Sequence, residues 1–339
     1  MLNRRKAEHL RIALKEDVQF KGLASGFERY HFLHCALPEL DRDEIDLSIA
    51  LFGKHLKAPL VISAMTGGTE LAGAINENLA QAAQELGIAM EVGSQRAAIE
   101  EPTLASSYQV RHVAPDILLF ANLGAVQLNY GYGIEECRRV VEVIEADGLV
   151  LHLNPLQECL QFDGNTDFAG LLPKVEEVCR GLSVPVIVKE VGWGISEEVA
   201  KKLASAGVAG IEVAGAGGTS WSEIEKRLAP SESMRRIAES FADWGIPTAE
   251  SILMARRGAP DTVIIGSGGI RTGVDAAKAI ALGADAVGFA HPLLKPATIS
   301  AEAVMEQLRQ IIEELRIAMF CVGTRDLATL KSAPLQQLW

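Results

Sequence analysis

Residues 264–290 run I-I-G-S-G-G-I-R-T-G-V-D-A-A-K-A-I-A-L-G-A-D-A-V-G-F-A. An apolar run gives way to a glycine turn, then to a helical pattern, then to a second apolar run, as in a βαβ unit. Gly266, Gly268 and Gly269 have no side chain to hold a ligand's oxygens off the backbone, and Arg271 adds a planar cationic fork. The turn therefore suits a phosphomonoester. Such a unit near the C-terminal end of a long β/α alternation matches the last two strands of a (β/α)8 TIM barrel, where barrels often bind phosphate.

Upstream, the alternation extends back to a first strand. Eight apolar runs can be placed, at Pro59–Met65, Ile88–Gly93, Ile117–Leu123, Gly148–Asn154, Pro185–Val191, Gly210–Gly215, Thr262–Gly268 and Ala286–Ala290. Each is rich in Val, Ile, Leu or Ala, as strands buried on both faces should be. Helical patterns fall between them at Leu71–Leu86, Glu135–Ala146, Leu171–Cys179, Glu197–Ala206 and Asp275–Leu282, the first stopped by Gly87. Between the sixth and seventh strands the chain is too long for one crossover. Ser231–Trp244 and Pro247–Arg257 both have a helical pattern, with Gly245 between them, which predicts one added helix. Ala301–Ala318 reads as a closing helix and residues 323–339 as a surface-packing tail. The organisation expected is one barrel domain over residues 1–339, with residues 1–57 as an N-terminal extension. An open doubly wound sheet would alternate in the same way, but the strand count and the place of the phosphate unit favour a barrel. Neither Met65-Thr-Gly-Gly68 nor Gly215-Ala-Gly-Gly-Thr-Ser220 reads GxGxxG, so a dinucleotide fold loses its main support.

With 339 residues, 48% hydrophobic and 22% charged, the chain can bury a full core and is not a disordered one. A net charge of -12 argues against nucleic acid or an anionic membrane as partner, so an anionic ligand must meet cations gathered locally. The five cysteines are odd in number and show no CxxC, which predicts free thiols in a reducing compartment. No run approaches the roughly 18 apolar residues of a membrane span, and a cytoplasmic protein is expected.

Polar residues gather at the C-terminal ends of the strands, where a barrel places its site. They include Ser63-Ala-Met-Thr-Gly-Gly68, Gly93-Ser-Gln-Arg96 and Asn122-Leu-Gly124, whose small residues leave room for a flat ring. His152 and Asn154 share one face of the fourth strand, and Gln157 and Glu158 follow. Glu158 is a candidate Mg2+ ligand, because Mg2+ often takes one carboxylate together with substrate phosphate oxygens and water. Lys189 lies in the apolar fifth strand; unless Glu190 or Glu212 pairs with it, it should point at an anion or an electron-rich ring. Arg4, Arg5 and Lys6 are a basic start in an acidic protein and could close over a diphosphate. Trp193 and Trp221 either pack on a ring or cover the barrel mouth. Gly215, Gly217 and Gly218, followed by Thr219 and Ser220, form a second close-approach loop.

Taken together, Arg4-Arg-Lys-Ala-Glu-His9, Ala64-Met-Thr-Gly-Gly68, Gly93-Ser-Gln-Arg96, His152-Leu-Asn-Pro-Leu-Gln-Glu158, Val188-Lys-Glu-Val-Gly-Trp-Gly194, Ala216-Gly-Gly-Thr-Ser-Trp221 and Ser267-Gly-Gly-Ile-Arg271 closely resemble the type 2 isopentenyl diphosphate isomerases. These are flavin-dependent enzymes of isoprenoid synthesis, and the resemblance runs over almost the whole chain. It implies a barrel that binds FMN, uses Mg2+, interconverts isopentenyl and dimethylallyl diphosphate, and assembles as a homo-oligomer, a tetramer or octamer. It implies flavin contacts from Ala64, Met65, Thr66, Ser94, Asn122, Lys189 and Thr219, with Gly269, Ile270, Arg271, Ala290 and His291 near the flavin phosphate. Arg5, Lys6, Ser94, Gln95, Arg96, His152, Asn154 and Gln157 would face the substrate, and Glu158 would hold Mg2+. Ala214 stands where the family commonly has a serine that touches the flavin.

Shifting a double bond needs a proton added at one carbon and another removed at an allylic position. The resemblance implies a reduced flavin as the main proton carrier, Gln157 placed for the second transfer, and His152 binding or orienting the diphosphate. No net oxidation occurs, yet the flavin must be reduced, so NADPH is expected as activator. An FMN oxidoreductase of the lactate-oxidase or dihydroorotate-dehydrogenase kind is the competing reading, and a non-catalytic flavin protein is a third.

Overall fold

Each of the eight apolar runs forms a strand in the computed structural model, which describes residues 2–337. We number them β1 (Leu60–Ile62), β2 (Ala89–Glu91), β3 (Leu119–Gly124), β4 (Gly148–Leu153), β5 (Val186–Glu190), β6 (Gly210–Glu212), β7 (Val263–Ser267) and β8 (Ala286–Phe289). They pair in parallel and in chain order, and β8 returns to β1 to close a barrel. The (β/α)8 expectation holds.

Period-two alternation divides each strand between two environments. Leu60, Ile62, Leu119, Ala121, Leu149 and Leu151 belong to the core between strands and outer helices. Val61, Ala89, Phe120, Val150, Ile187, Ile265 and Ala286 pack together in a separate cluster inside the barrel. Below them the hairpin Ile49–Leu51 and Lys54–Leu56 closes the N-terminal end, with Phe52 edge-on to Phe120 at 5.7 Å between ring centroids. Part of the N-terminal extension is thus a hydrophobic plug.

The helices follow their sequence signals closely. The first crossover helix spans Glu70–Leu86, with the Thr69 hydroxyl accepting the Ala72 N–H and Gly87 at φ 63 ending it. The connection between β6 and β7 holds three helices, Trp221–Leu228, Glu232–Ser240 and Thr248–Gly258, where two were expected, a crossover helix and one added. The first of them starts directly out of the glycine loop, so its stop-like residues masked its start. Helices Leu2–Lys15 and His291–Ala297 also carry no strong apolar stripe in sequence. The C-terminal segment is more than a surface tail. After helix Leu327–Lys331 it adds Leu335–Gln337 as an antiparallel strand to Tyr30–Phe32 of the N-terminal extension. Among the described residues no helix is long and apolar enough to cross a membrane.

One device secures the N-terminal ends of two strand pairs. The Arg111 guanidinium donates to the carbonyls of Ile117 and Glu145 and to Asp147 (2.6 Å), whose Oδ2 also accepts the Leu119 N–H. Arg256 repeats this with the carbonyls of Thr262 and Gly283 and with Asp285 (2.6 Å), whose Oδ2 accepts the Ile264 N–H. The words Arg111-His-Val-Ala-Pro-Asp116 and Arg256-Arg-Gly-Ala-Pro-Asp261 are the sequence trace of this repeat. β3 is thereby tied to β4, and β7 to β8.

Burial alone would raise the Asp285 pKa, but Lys331, the Ile264 N–H and Arg256 together hold it below the ordinary carboxylate value. Its contribution is therefore present above the unfolded-state pKa and lost as pH falls through the lower folded one. Asp285→Asn should lower unfolding free energy by about 1–3 kcal/mol at neutral pH, with the deficit shrinking in acid, as read by denaturant titration at several pH values.

Candidate active site

The inward positions of the strands change character from one end of the barrel to the other. Two residues beyond Val61, Ala89, Phe120, Val150, Ile187, Gly210 and Ile265 come Ser63, Glu91, Asn122, His152, Lys189, Glu212 and Ser267. This polar layer lies under a cavity of about 330 Å³ at the C-terminal end of the strands. Its walls bring together Ala64, Met65 and Thr66 after β1, Ser94 and Arg96 after β2, and Asn122 on β3. They also include His152, Asn154, Gln157 and Glu158 from β4 onward, Lys189 on β5 and Thr219 after β6. Gly269, Ile270 and Arg271 after β7, Ala290 and His291 after β8, and Arg5 and Lys6 from the N-terminal helix complete the set. Of the residues expected there, Gln95 is the exception. It is fully buried, and its amide donates to the Val140 carbonyl and accepts the Asn122 N–H, both at 3.0 Å, so it positions β3 and does not line the cavity.

Lys189 has a partner. Its Nζ lies 3.0 Å from Glu212 Oε2 and 3.7 Å from Glu91 Oε2, all three side chains being almost wholly buried at the cavity floor. The Ser63 hydroxyl donates to Glu212 Oε1 (2.7 Å), and the Ala64 N–H donates to Glu91 Oε2 (3.0 Å). Burial works against the Lys189 ammonium, yet Glu212 and Glu91 raise its pKa. Glu91 is driven well up by burial and by repulsion from Glu212. Glu212 is held down, against its burial, by Lys189 and by hydrogen bonds. Glu190 points elsewhere, its Oε2 accepting the N–H groups of Val191, Gly192 and Trp193, and burial pushes it up to about 7. The lysine both lines the cavity and is paired with Glu212. Glu91 and Glu212 were legible only as carboxylates at inward positions of apolar strands, an expensive placement that is itself a signal.

Two glycine loops are in backbone contact. A Cβ on Gly218 would sit 2.4 Å from the Gly269 nitrogen, and one on Gly269, at φ 69, would sit 2.6 Å from the Gly217 carbonyl oxygen. No residue with a side chain fits either place. The buried Thr248 hydroxyl donates to the Gly268 carbonyl. In a trans peptide the Gly269 N–H must point the opposite way, toward the cavity. Arg271 donates to Gln19 Oε1 (2.6 Å) at the rim. Ala214 lies in the left-handed region at φ 37, a strained conformation for a residue with a Cβ.

The remaining wall is dense in polar groups. His152 Nδ1 lies 2.9 Å from Asn122 Oδ1, an acceptor, so Nδ1 carries the proton and Nε2 keeps its lone pair. Burial first, then Lys189 and Lys6, lower its pKa to about 3. Asn154 donates to Gln157 Oε1 and to Glu158 Oε1, leaving its own Oδ1 buried without a partner. Glu158 Oε2 accepts the Asn165 N–H, and Gln157 donates to Glu225 Oε1 (3.2 Å). Glu225 also lies 3.5 Å from Arg5 and 3.2 Å from His9. Arg96 donates to Glu100 and Asn165. Lys6 donates to the Ser94 carbonyl and to the Tyr108 hydroxyl (2.7 Å). Its pKa falls to about 7, through burial and the neighbouring Arg96. Trp221 lines the cavity and packs edge-on to His9 at 5.2 Å, whereas Trp193 is buried against Phe20 and Ala216 outside it. The side chain of Arg4 lies outside the described residues. His9, Glu225 and Asn165 were missed because their importance comes only from contacts across the fold. Among the described residues no group of three or more His, Cys, Asp or Glu could hold a metal by itself, and the five cysteines are free.

A sequence profile described as FMN-dependent dehydrogenase matches residues 1–111 and 160–337. The chain is 54% identical over 335 residues to a Nostoc sp. protein named isopentenyl-diphosphate delta-isomerase, covering 98% of this chain and 96% of that one. Proteins of the same name from Stutzerimonas stutzeri and Cronobacter sakazakii are 55% and 50% identical, covering 98% and 99% of this chain and 97% of each relative. Among solved structures, a mandelate oxidase superposes with TM-score 0.66 at 19% identity, covering 99% of both chains. A lactate oxidase of Pediococcus acidilactici gives 0.66 at 18%, covering 98% of this chain and 87% of that one. At that identity the likeness is one of fold.

Above pH 7 the ligand-free protein must protonate Lys6 to present an ammonium to an anion. Inorganic pyrophosphate binding, measured by calorimetry for the parent and Lys6→Met, should show the parent's advantage shrinking by up to about tenfold per pH unit above 7. A constant ratio between pH 6 and 9 would remove Lys6 as an anion ligand.

Proposed function

The chain belongs to the isopentenyl-diphosphate delta-isomerases, within the FMN-dependent dehydrogenase family, and we propose that it interconverts isopentenyl and dimethylallyl diphosphate with reduced FMN and Mg2+. NADPH would reduce the flavin. The single observation that carries this reading is that one cavity gathers two sets of residues. A glycine cradle and a floor lysine are one set; Arg5, Lys6, Arg96, His152, Asn154 and Gln157 are the other.

The residues present fit FMN. The cradle admits only glycine, its Gly269 N–H is aimed inward, and Arg271 stands at the rim, so a phosphate is suited there with Ile270, Ala290 and His291 beside it. Ala64, Met65, Thr66, Ser94, Asn122 and Thr219 would border the ring, and the Lys189 ammonium would lie beneath it. Bound and reduced, FMN supplies an electron-rich ring that offsets positive charge developing across the allylic carbons, and a nitrogen able to exchange a proton. Arg5, Lys6 and Arg96 would draw the diphosphate to the opposite wall and so orient the alkene. His152, neutral and fixed by Asn122, orients the substrate and is too weak a base when ligand-free to take its proton. Gln157 does not titrate; its hydrogen bond to Glu225 links the cavity to that buried carboxylate. Gln95 would act only indirectly, through the strand it holds.

Mg2+ fits in part. Glu158 and the unpartnered Asn154 Oδ1 are hard oxygen donors side by side, and Mg2+ could complete its shell with diphosphate oxygens and water. The Asn165 N–H must then release Glu158 Oε2. Residues 1–57 would serve this site through Arg5 and Lys6. A cytoplasmic homo-oligomer, tetramer or octamer, belongs to the same reading.

An anaerobic assay with isopentenyl diphosphate, FMN, NADPH and Mg2+ in D2O should yield deuterated dimethylallyl diphosphate, with many turnovers per NADPH consumed. Stoichiometric consumption of NADPH or of an electron acceptor would instead mark an oxidoreductase. Lys189→Ala should lose flavin retention or reduction, and full yellow colour with full turnover would refute its placement. Glu158→Gln should raise the Mg2+ concentration needed for half-maximal rate; an unchanged requirement would remove it as a ligand.

A further inference from the structure

The cavity floor holds three ionisable, almost wholly buried side chains close to one another. Glu91 (2% exposed) comes from β2, Lys189 (6%) from β5 and Glu212 (0%) from β6. If all three were ionised, a full negative charge would be left over in the dry interior of the barrel, which is prohibitive. The surroundings say where the surplus is removed. Glu212 has the lysine at 3.0 Å and the Ser63 hydroxyl at 2.7 Å, both donors suited to an anion. Glu91 has the lysine only at 3.7 Å and one backbone N–H on Oε2, and its side chain hydrogen-bonds that of Glu212, a contact between two carboxyls that requires a proton on one of them. At rest the cluster is thus a carboxylic acid, a carboxylate and an ammonium, neutral overall.

We infer that Glu91, Lys189 and Glu212 form a charge-balancing unit that stores one proton at rest and takes up a second when negative charge arrives on the ring above Lys189. The inference rests on the proposed FMN site. Hydride transfer from NADPH delivers two electrons and one proton, so the ring gains one negative charge. A proton drawn from solvent onto the remaining carboxylate, Glu212, then restores neutrality: ammonium and ring cancel, and both carboxyls are protonated. The other groups facing the cluster cannot do this. Ser63 and Ser267 on β1 and β7 do not titrate near neutrality. His152 on β4 lies beside two lysines that disfavour its charge, and Glu190 on β5 is committed to the 191–193 backbone. Glu91 and Glu212 are accordingly positioning residues, acting on the ring through Lys189. They keep the ammonium in place whether the ring is oxidised or reduced.

Infrared spectroscopy of the protein with glutamate carboxyls labelled by carbon-13 separates these bands from flavin carbonyls. The oxidised holoenzyme should show a buried carboxylic-acid band that shifts in D2O. That band should be lost in both Glu91→Gln and Glu212→Gln, since removing either carboxyl leaves the other ionised against Lys189. The reduced-minus-oxidised spectrum of the parent should gain one further acid band. Glu91→Gln/Glu212→Gln should gain none, and if that double variant does not fold, the resting spectra of the single variants decide. An oxidised parent without the acid band, or a reduction that leaves the carboxyl region unchanged, overturns the inference while FMN remains bound. A parent that retains no FMN overturns the functional reading first, and the resting band of the FMN-free protein then tests the stored proton alone.

Discussion

A closed barrel has one interior, and the alternation of its strands decides what enters it. In this chain every other strand residue must either pack against its counterparts or be satisfied by them, because no water column reaches between. The lower part meets that constraint with apolar side chains and the Phe52 plug. The upper part meets it with the Lys189–Glu212 pair, the Ser63 hydroxyl and the His152–Asn122 hydrogen bond. The apolar layer makes the polar one dry, and dryness makes each charge above it count.

The N-terminal extension works at both ends of the barrel. Its hairpin seals the bottom, its strand Tyr30–Phe32 is paired by Leu335–Gln337, and its first helix carries Arg5 and Lys6 to the cavity. The helix is moored by buried Leu10 and Ile12 and by polar contacts, from Lys6 to Ser94 and Tyr108 and from Arg5 to Asp163 and Glu225.

Legibility followed locality. The eight strands were readable because strands buried on both faces need unbroken apolar runs, and the Gly87 stop because a helix cap acts within a single turn. The glycine turn after β7 was readable because Gly268 and Gly269 are demanded by backbone approach, which a neighbouring loop enforces. Helix Trp221–Leu228 was not, since its start overlaps the glycine loop. Gln95 stands beside Ser94 and Arg96 in one motif, yet its side chain turns into the outer wall to hold β3. Adjacent residues on a turn need not share a direction.

The sequence alone determined the barrel, the glycine cradle and the set of polar residues at the strand ends, because these follow from periodicity and from the absence of side chains at particular positions. Only the tertiary structure decided which carboxylate holds Lys189, that Glu190 does not, and that Glu225 and Asn165 join the wall. Pairing energy falls off over a few ångströms, and distances between residues far apart in the chain exist only once the barrel has closed.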